Sequence, residues 1–356
     1  MNASLEFNIE DLTRYLTVHV PGFQGPLAVE KFPGGQSNPT FLLKAQSGSY
    51  VLRRQPPGAL LKSAHAVDRE FRVLSALGQT PVPVARAYHL CEDRDVIGSL
   101  FYVMSYEDGR IFWNPALPEV PVEERGSIYE AVLATMAALH DVDIDEVGLS
   151  DYGRPGNYFA RQIDIWTKQY RAAQTDKLEA MESLIEWLPA HCPEETGKPS
   201  LVHGDFRIDN LIFMRDAPQV RAVLDWELST LGNPLADIAY FCMCLRLPPG
   251  SHIAGLEGLD RAALGVPDEA AIIERYCELR GISSIEHWNF YLAFSFFRLA
   301  AIAQGVKKRA LSGNASNEKA RQVGEMAGVL AQMGVDLTSR QAGKRNLNIL
   351  ETDCDY

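Results

Sequence analysis

Apolar and polar positions alternate with changing period along the first hundred residues. Helical spacing from about Ile9 to Val18 predicts a short amphipathic helix. Three strand-like runs follow: Leu27–Phe32, Thr40–Ala45 and Tyr50–Arg54. The turn Pro33-Gly34-Gly35-Gln36-Ser37-Asn38 joins the first two, and Ser47-Gly48-Ser49 joins the next pair. A helix is expected from about Ser63 to Leu77, then strands near Val84–Leu90 and Leu100–Tyr106. Five strands and one helix make a small sheet lobe.

After Asp108-Gly109 the pattern becomes helical. In Val122–His140, Ile128, Val132, Thr135, Met136 and Leu139 fall on one face. Helical patterns return at Asn157–Ala173, Lys177–Leu188, Leu235–Leu247, Glu269–Arg280, Ile285–Ala310 and Asn317–Met333. One short β-rich island, Leu201–Trp226, interrupts them. The order implies an α+β chain of two lobes: a sheet lobe over 1–106 ending in a hinge, a helical lobe over 107–345, and an acidic tail over 346–356. A length of 356 residues accommodates this in one two-lobed unit.

Composition narrows the classes. A net charge of −12 argues against a general nucleic-acid binder, which needs a basic face. No apolar run is long enough to span a bilayer. Met1–Ile9 has no basic patch followed by an apolar stretch, so no secretory signal is expected. The six cysteines are scattered and form no Cys-x-x-Cys, which fits reduced thiols and a cytoplasmic location.

The chemistry concentrates in His203-Gly204-Asp205-Phe206-Arg207-Ile208-Asp209-Asn210 and Val223-Leu224-Asp225-Trp226-Glu227. Phosphoryl transfer from ATP needs a carboxylate to orient the attacking hydroxyl and accept its proton. It also needs a second carboxylate and an amide oxygen to hold magnesium, a cation that prefers hard oxygen ligands. Kinases place base and amide in one loop as Asp-x-x-x-x-Asn, with the second carboxylate at a nearby strand end. Asp205 and Asn210 have that spacing, and Asp225 follows the short strand-like run Val220–Leu224. Arg207 offers a cation for the charge of the transferring phosphoryl. A lone Asp or Asn in a loop is usually a turn residue; the combination is what carries the reading. His203 reads as a structural brace, and Asp209 as a solvated turn residue.

These two blocks resemble the aminoglycoside phosphotransferase and choline kinase superfamily, whose fold is protein-kinase-like. Val202–Leu211 and Leu224–Asp237 resemble one branch more closely: the phosphotransferase domain fused to acyl-CoA dehydrogenase modules in some eukaryotic proteins. The likeness extends through Tyr50–Gly58, Phe101–Met104, Trp166–Tyr170 and Ile302–Val306. It implies Asp205 as catalytic base, Asn210 and Asp225 on magnesium, and Asp237 as a brace for the catalytic loop, a role compatible with helix N-capping by the same residue.

In the sheet lobe, Gly34, Gly35, Ser37 and Asn38 offer main-chain and side-chain contacts to phosphates, since glycine lets the backbone approach closely. Most Gly-Gly pairs are only turns, and this one matches neither a Walker loop nor GxGxxG. On the third strand, Val51 and Arg53 share a face. Val51 is placed against adenine and Arg53 where kinases carry a lysine, a departure that changes the pairing geometry. Glu70 shares an apolar helical face with Val67, Leu74 and Leu77, as a buried partner of Arg53 would. Met104, Ser105 and Tyr106 form the hinge expected to line and bond adenine, the last two through their main chain.

The acceptor end is less specified. Arg161, Trp166, Lys168 and Tyr170 on one helix, and Arg298, Gln304, Lys307 and Lys308 on another, are the candidate contacts. The branch resemblance implies a hydroxyacyl-CoA or hydroxy acid. The alternatives are an aminoglycoside or choline-like alcohol, or a non-catalytic nucleotide-binding partner of an acyl-CoA dehydrogenase. The last is disfavoured because Asp205, Asn210 and Asp225 are all present. A flavin-dependent dehydrogenase finds no support in the pattern. A protein kinase is disfavoured because no Ala-Pro-Glu lies between Asp225 and Asp237.

Overall fold

The computed structural model describes residues 7–32, 38–56, 66–154, 156–195, 197–311 and 318–339. Helix α1 (Ile9–His19) begins at Asn8, whose side-chain oxygen accepts from Glu10 N–H at 2.8 Å and caps the first turn. The strands β1 (Leu27–Lys31), β2 (Thr40–Ala45), β3 (Gly48–Arg54), β4 (Ala87–Cys91) and β5 (Phe101–Ser105) form one antiparallel sheet in the order β1-β2-β3-β5-β4. Helix α2 (Val67–Leu77) packs on β4 and β5.

The two-residue period of the strands sorts the lobe into faces. Phe41, Leu43, Tyr50, Leu52, Phe101 and Val103 join Leu12 and Leu16 of α1 in one apolar core. Each fully buried leucine there contributes roughly 1.5–3 kcal/mol. The intervening residues Val51, Arg53, Tyr102 and Met104 share the opposite face, with Val51 paired to Met104 and Arg53 to Tyr102. Arg54 belongs to the core side: it is buried, and its guanidinium lies over the Phe7 ring at 5.6 Å.

Several boundaries differ from the pattern. The helix expected from Ser63 starts at Val67, preceded by Ala66, which supplies no side-chain cap; Ser63 itself lies outside the described residues. The strand expected from Val84 starts at Ala87, and Pro83 O before it accepts from Val223 N–H at 2.9 Å.

Helix α3 (Val122–His140) follows, then α4 (Tyr158–Ala173) and α5 (Glu179–Ala190). The β-rich island resolves into two small antiparallel pairs. β6 (Ser200–Val202) pairs with β9 (Thr230–Gly232), and β7 (Leu211–Phe213) with β8 (Val220–Val223). Helices α6 (Leu235–Leu245), α7 (Glu269–Arg280), α8 (Trp288–Leu311) and α9 (Glu318–Ser339) complete the chain. No described helix is long and apolar enough to cross a membrane. Cys91, Cys192, Cys242, Cys244 and Cys277 are free thiols.

The chain forms two compact units. One comprises 1–155 and 198–284, the other 156–197 and 285–356. The second unit is helical: α8 packs on α4, α5 and α9, and α5 also packs on α9. Phe159 of α4 sits edge-on to Phe290 and Phe294 of α8 at 5.5 and 5.1 Å. Arg298 is buried with its guanidinium 5.3 Å from the Trp166 ring centre.

Candidate active site

The loop between β6 and β7 is built around Gly204. Its φ is +85°, and a Cβ there would lie 2.6 Å from Leu228 O, so only glycine fits. His203 is fully buried. Its Nε2–H donates to Leu224 O at 2.7 Å, which leaves Nδ1 to accept from Asp205 N–H at 3.2 Å. This imidazole therefore spans the loop and the end of β8, and it has no free nitrogen for catalysis.

Asp237, in the first turn of α6, holds the same loop from below. Its carboxylate accepts from His203 N–H at 2.7 Å and Gly204 N–H at 2.8 Å. His140 Nε2–H donates to it at 3.2 Å, and Tyr276 OH donates to His140 Nδ1 at 2.8 Å. Burial alone pushes Asp237 upward, yet the bonds from His140 and Gly204 hold it below the usual carboxylate range. Burial lowers His140, which stays neutral. Asp237→Asn places an NH2 group against a backbone N–H that needs an acceptor. It is expected to cost about 3 kcal/mol of stability, seen as a lower midpoint in denaturant. An unchanged midpoint would show that the brace is dispensable.

Asp205 stands on this platform, partly buried. Asn210 Nδ2 donates to Asp205 O at 2.8 Å and to its Oδ2 at 3.1 Å, which leaves the amide oxygen of Asn210 as an acceptor. Arg207 Nε lies 3.1 Å from Asp205 Oδ1, and Arg207 Nη1 lies 3.4 Å from Asp209 Oδ2. Asp209 is thus an ion-pair partner rather than a solvated turn residue, and burial pushes its carboxyl upward. Burial opposes the charge of Arg207, but Asp205 leads the groups that outweigh it and keep it cationic.

Asp225 follows β8 after the single residue Leu224 and takes φ 61° and ψ 63°. A left-handed backbone is uncommon for a residue with a side chain, and Asp is among those that tolerate it. Leu224 N–H donates to Asn210 O at 2.8 Å, tying the two loops together. Asp225 Oδ1 accepts from Arg53 Nη2 at 2.8 Å. Arg53 Nε lies 2.8 Å from Glu70 Oε2, and Arg53 Nη2 lies 3.6 Å from Glu227 Oε2. One guanidinium therefore faces three carboxylates. Burial works against its charge, but Glu70 and Asp225 lead the groups that hold it cationic. Burial pushes Glu70 up, to about 7, with Arg53 opposing the rise.

The sequence placed Asn38 on phosphates. In the structure Asn38 is fully buried and its Nδ2 donates to Glu70 Oε1 at 2.8 Å, beside Tyr102 OH donating to Glu70 Oε2 at 3.1 Å. A carboxylate that is 2% exposed needs such donors. Gly34, Gly35 and Ser37 lie outside the described residues. At the hinge, Val51 is buried beside Met104. Ser105 N–H is committed to Arg86 O at 2.9 Å, and its hydroxyl donates to Glu107 at 2.5 Å. Among the described residues Tyr106 N–H has no backbone partner. The hinge is fastened to the β7–β8 hairpin. Arg110 and Phe213 exchange two main-chain bonds of 2.8 Å, and Arg221 Nε donates to Glu107 at 2.8 Å. Gly109 is required there, since a Cβ would lie 2.2 Å from Phe213 O.

No local sequence signal marks Tyr102, and Glu227 is marked by its place two residues after Asp225. The cations expected at an acceptor end are largely spoken for. Lys168 pairs with Asp164 at 2.6 Å, Lys307 pairs with Asp176, and Arg298 is buried against Trp166.

Comparison with known proteins follows this geometry. Residues 28–273 match the phosphotransferase enzyme family. A crystal structure of a Ralstonia eutropha protein, described as a candidate aminoglycoside phosphotransferase, is 48% identical. It superposes with a TM-score of 0.86, covering 94% of this chain and 99% of that one. Acyl-CoA dehydrogenase family member 10 of Mus musculus is 46% identical over 89% of this chain and 30% of its own length. Across the leading curated relatives the chain spans 30% to 44% of their length. Aminoglycoside phosphotransferase APH(4)-Ia, solved with ADP and hygromycin B, is 16% identical with a TM-score of 0.61, covering 93% and 98%. At that identity the likeness shows the kinase-like, two-lobed α+β fold alone.

Proposed function

The chain belongs to the phosphotransferase enzyme family, and from that premise we propose that it transfers the terminal phosphoryl group of magnesium-bound ATP to a hydroxyl on an acyl chain, as a hydroxyacyl-CoA or hydroxy acid kinase. The carrying observation is the placement of Asp205, Asn210 and Arg207 on one braced loop, with Asp225 tied to it through Leu224 N–H.

Residues 1–106 act as the nucleotide lobe and 107–345 as the lobe for catalysis and acceptor. Val51 and Met104 line the adenine side, and the main chain at Tyr106 bonds the base. Gly34, Gly35 and Ser37, outside the described residues, are the proposed phosphate contacts of the sequence, and Arg53 contacts the phosphates while Glu70 aims it. Magnesium fits the donor set. Asp225 and the free amide oxygen of Asn210 are hard oxygen ligands, with Glu227 close by. Among the described residues no three His, Cys, Asp or Glu side chains form a metal cage. A nucleotide-bound magnesium needs none, because phosphate oxygens and waters complete its shell. When bound, the ion neutralises charge on the β- and γ-phosphates. Asp205 orients the acceptor hydroxyl and takes its proton. Arg207 offsets the charge that spreads over the transferring group.

The acceptor class rests on the relatives named as acyl-CoA dehydrogenase family members, at 41% to 46% identity. The surface cations do not support it, since Lys168 and Lys307 are already paired. The hygromycin complex belongs to a protein too distant to transfer its substrate. A hydroxyacyl-CoA acceptor also supplies a reason for a phosphotransferase to be joined to, or to partner, an acyl-CoA dehydrogenase. The test is ATP consumption with mass detection of product, run against hydroxyacyl-CoAs, free hydroxy acids, choline and kanamycin. A hydroxyacyl compound is expected to gain one phosphoryl group. Turnover of kanamycin or choline alone would overturn the acceptor class and leave the phosphotransferase.

A further inference from the structure

The proposed metal carboxylate, Asp225, is paired with a cation of the protein itself. Arg53 Nη2 donates to Asp225 Oδ1 at 2.8 Å and lies 3.6 Å from Glu227 Oε2, while Nε lies 2.8 Å from Glu70 Oε2. Arg53 is 14% exposed, Asp225 36% and Glu227 29%. A divalent ion arriving alone would meet a guanidinium on the oxygen it needs. A nucleotide changes that balance, because its phosphates offer Arg53 another anion. Arg53 Nε stays 2.8 Å from Glu70 Oε2, so the guanidinium keeps that anchor while Nη2 exchanges the Asp225 oxygen for a phosphate oxygen.

We propose that Arg53 is the resident counter-ion of the Asp225–Glu227 metal site, so that the metal enters only with, or after, the nucleotide phosphates that draw Arg53 away. The inference rests on the phosphotransferase reading and adds an order of binding to it. It also gives a physical reason for arginine at this strand position. The guanidinium reaches Glu70 through one nitrogen and Asp225 and Glu227 through another. The compact ammonium of a lysine cannot span them in the same way. Glu70 is then the pivot: Asn38 and Tyr102 fix it, so Arg53 turns about a stationary carboxylate.

The test measures Mn2+ binding to nucleotide-free protein by electron paramagnetic resonance. Arg53→Met alone would leave Glu70 buried and unpaired, so the informative variant is the double change Arg53→Met with Glu70→Gln, which removes both charges of the buried pair. Wild-type protein is expected to bind Mn2+ weakly without nucleotide, and the double variant about tenfold more tightly, because the cation in direct contact with Asp225 has gone and the loss of the more distant Glu70 anion offsets only part of that gain. Arg53→Lys is expected to fall between them. Equal Mn2+ affinity in wild type and double variant, with both folded by circular dichroism, would overturn the proposal. Tight Mn2+ binding by the wild type alone would do the same. A parallel titration of wild type with MnATP separates the two readings. Failure to bind MnATP would sink the phosphotransferase assignment itself, whereas tight MnATP binding with no gain in the double variant would sink only the role given to Arg53.

Discussion

Asp205→Asn is expected to lower phosphoryl transfer by about 10³-fold while leaving MgATP affinity within about twofold. The asymmetry follows from where the carboxylate stands. Asp205 contacts Asn210 and Arg207 in its own loop, and it has no contact with the Arg53, Glu70 and Asp225 cluster among the described residues. The substitution is nearly isosteric, and the platform beneath it is made by His203 and Asp237, which the change leaves in place. What is lost is the ability to take a proton from the acceptor hydroxyl. Rates come from a coupled ATP assay and affinity from calorimetry on the same preparation. If nucleotide affinity falls as far as the rate does, Asp205 belongs to the nucleotide site and the role assigned to it is wrong.

Asp225→Asn should act on the other side. MgATP affinity is expected to fall by about 100-fold, on the scale of removing one partner from a charge-assisted contact, with metal-free ATP binding little changed. Asn is the informative replacement because the backbone here is left-handed, with φ 61°, a region that Asn tolerates and Ala does not. Asp225→Ala would mix lost ligation with backbone strain. Calorimetric titrations with and without magnesium distinguish the outcomes. An Asp225→Asn protein that still binds MgATP more tightly than ATP would remove Asp225 from the metal.

The residues separate what is legible in a sequence from what is not. The phase of Val51, Leu52 and Arg53 follows from a two-residue period, and the sheet has that register. The phase of Glu70 among Val67, Leu74 and Leu77 marked it as inward-facing, and it is 2% exposed. The Gly-rich local sequence around Asn38 suggests phosphate, while its side chain bonds a carboxylate 32 residues away. Asp209 reads as a solvated turn residue for a similar reason. In the sequence it is one more polar loop residue, and only the fold of the loop puts it 3.4 Å from Arg207.

The chain's own order of periods determined that a sheet lobe precedes a helical region with a β island, and the spacing of Asp205, Asn210 and Asp225 determined which chemistry that island can hold. Both are local: a period is fixed by backbone geometry, and a five-residue spacing closes within one loop. Tertiary structure decided the charge relations. Arg53 meets Asp225 across 172 residues, and His140 meets Asp237 across 97. It also decided that α4 and α5 share a compact unit with α8 and α9, although the loop from His203 to Asn210 lies between them in the sequence. These outcomes depend on which buried charges find partners and which apolar faces close on one another, and burial is a property of the folded chain that no short stretch of sequence carries.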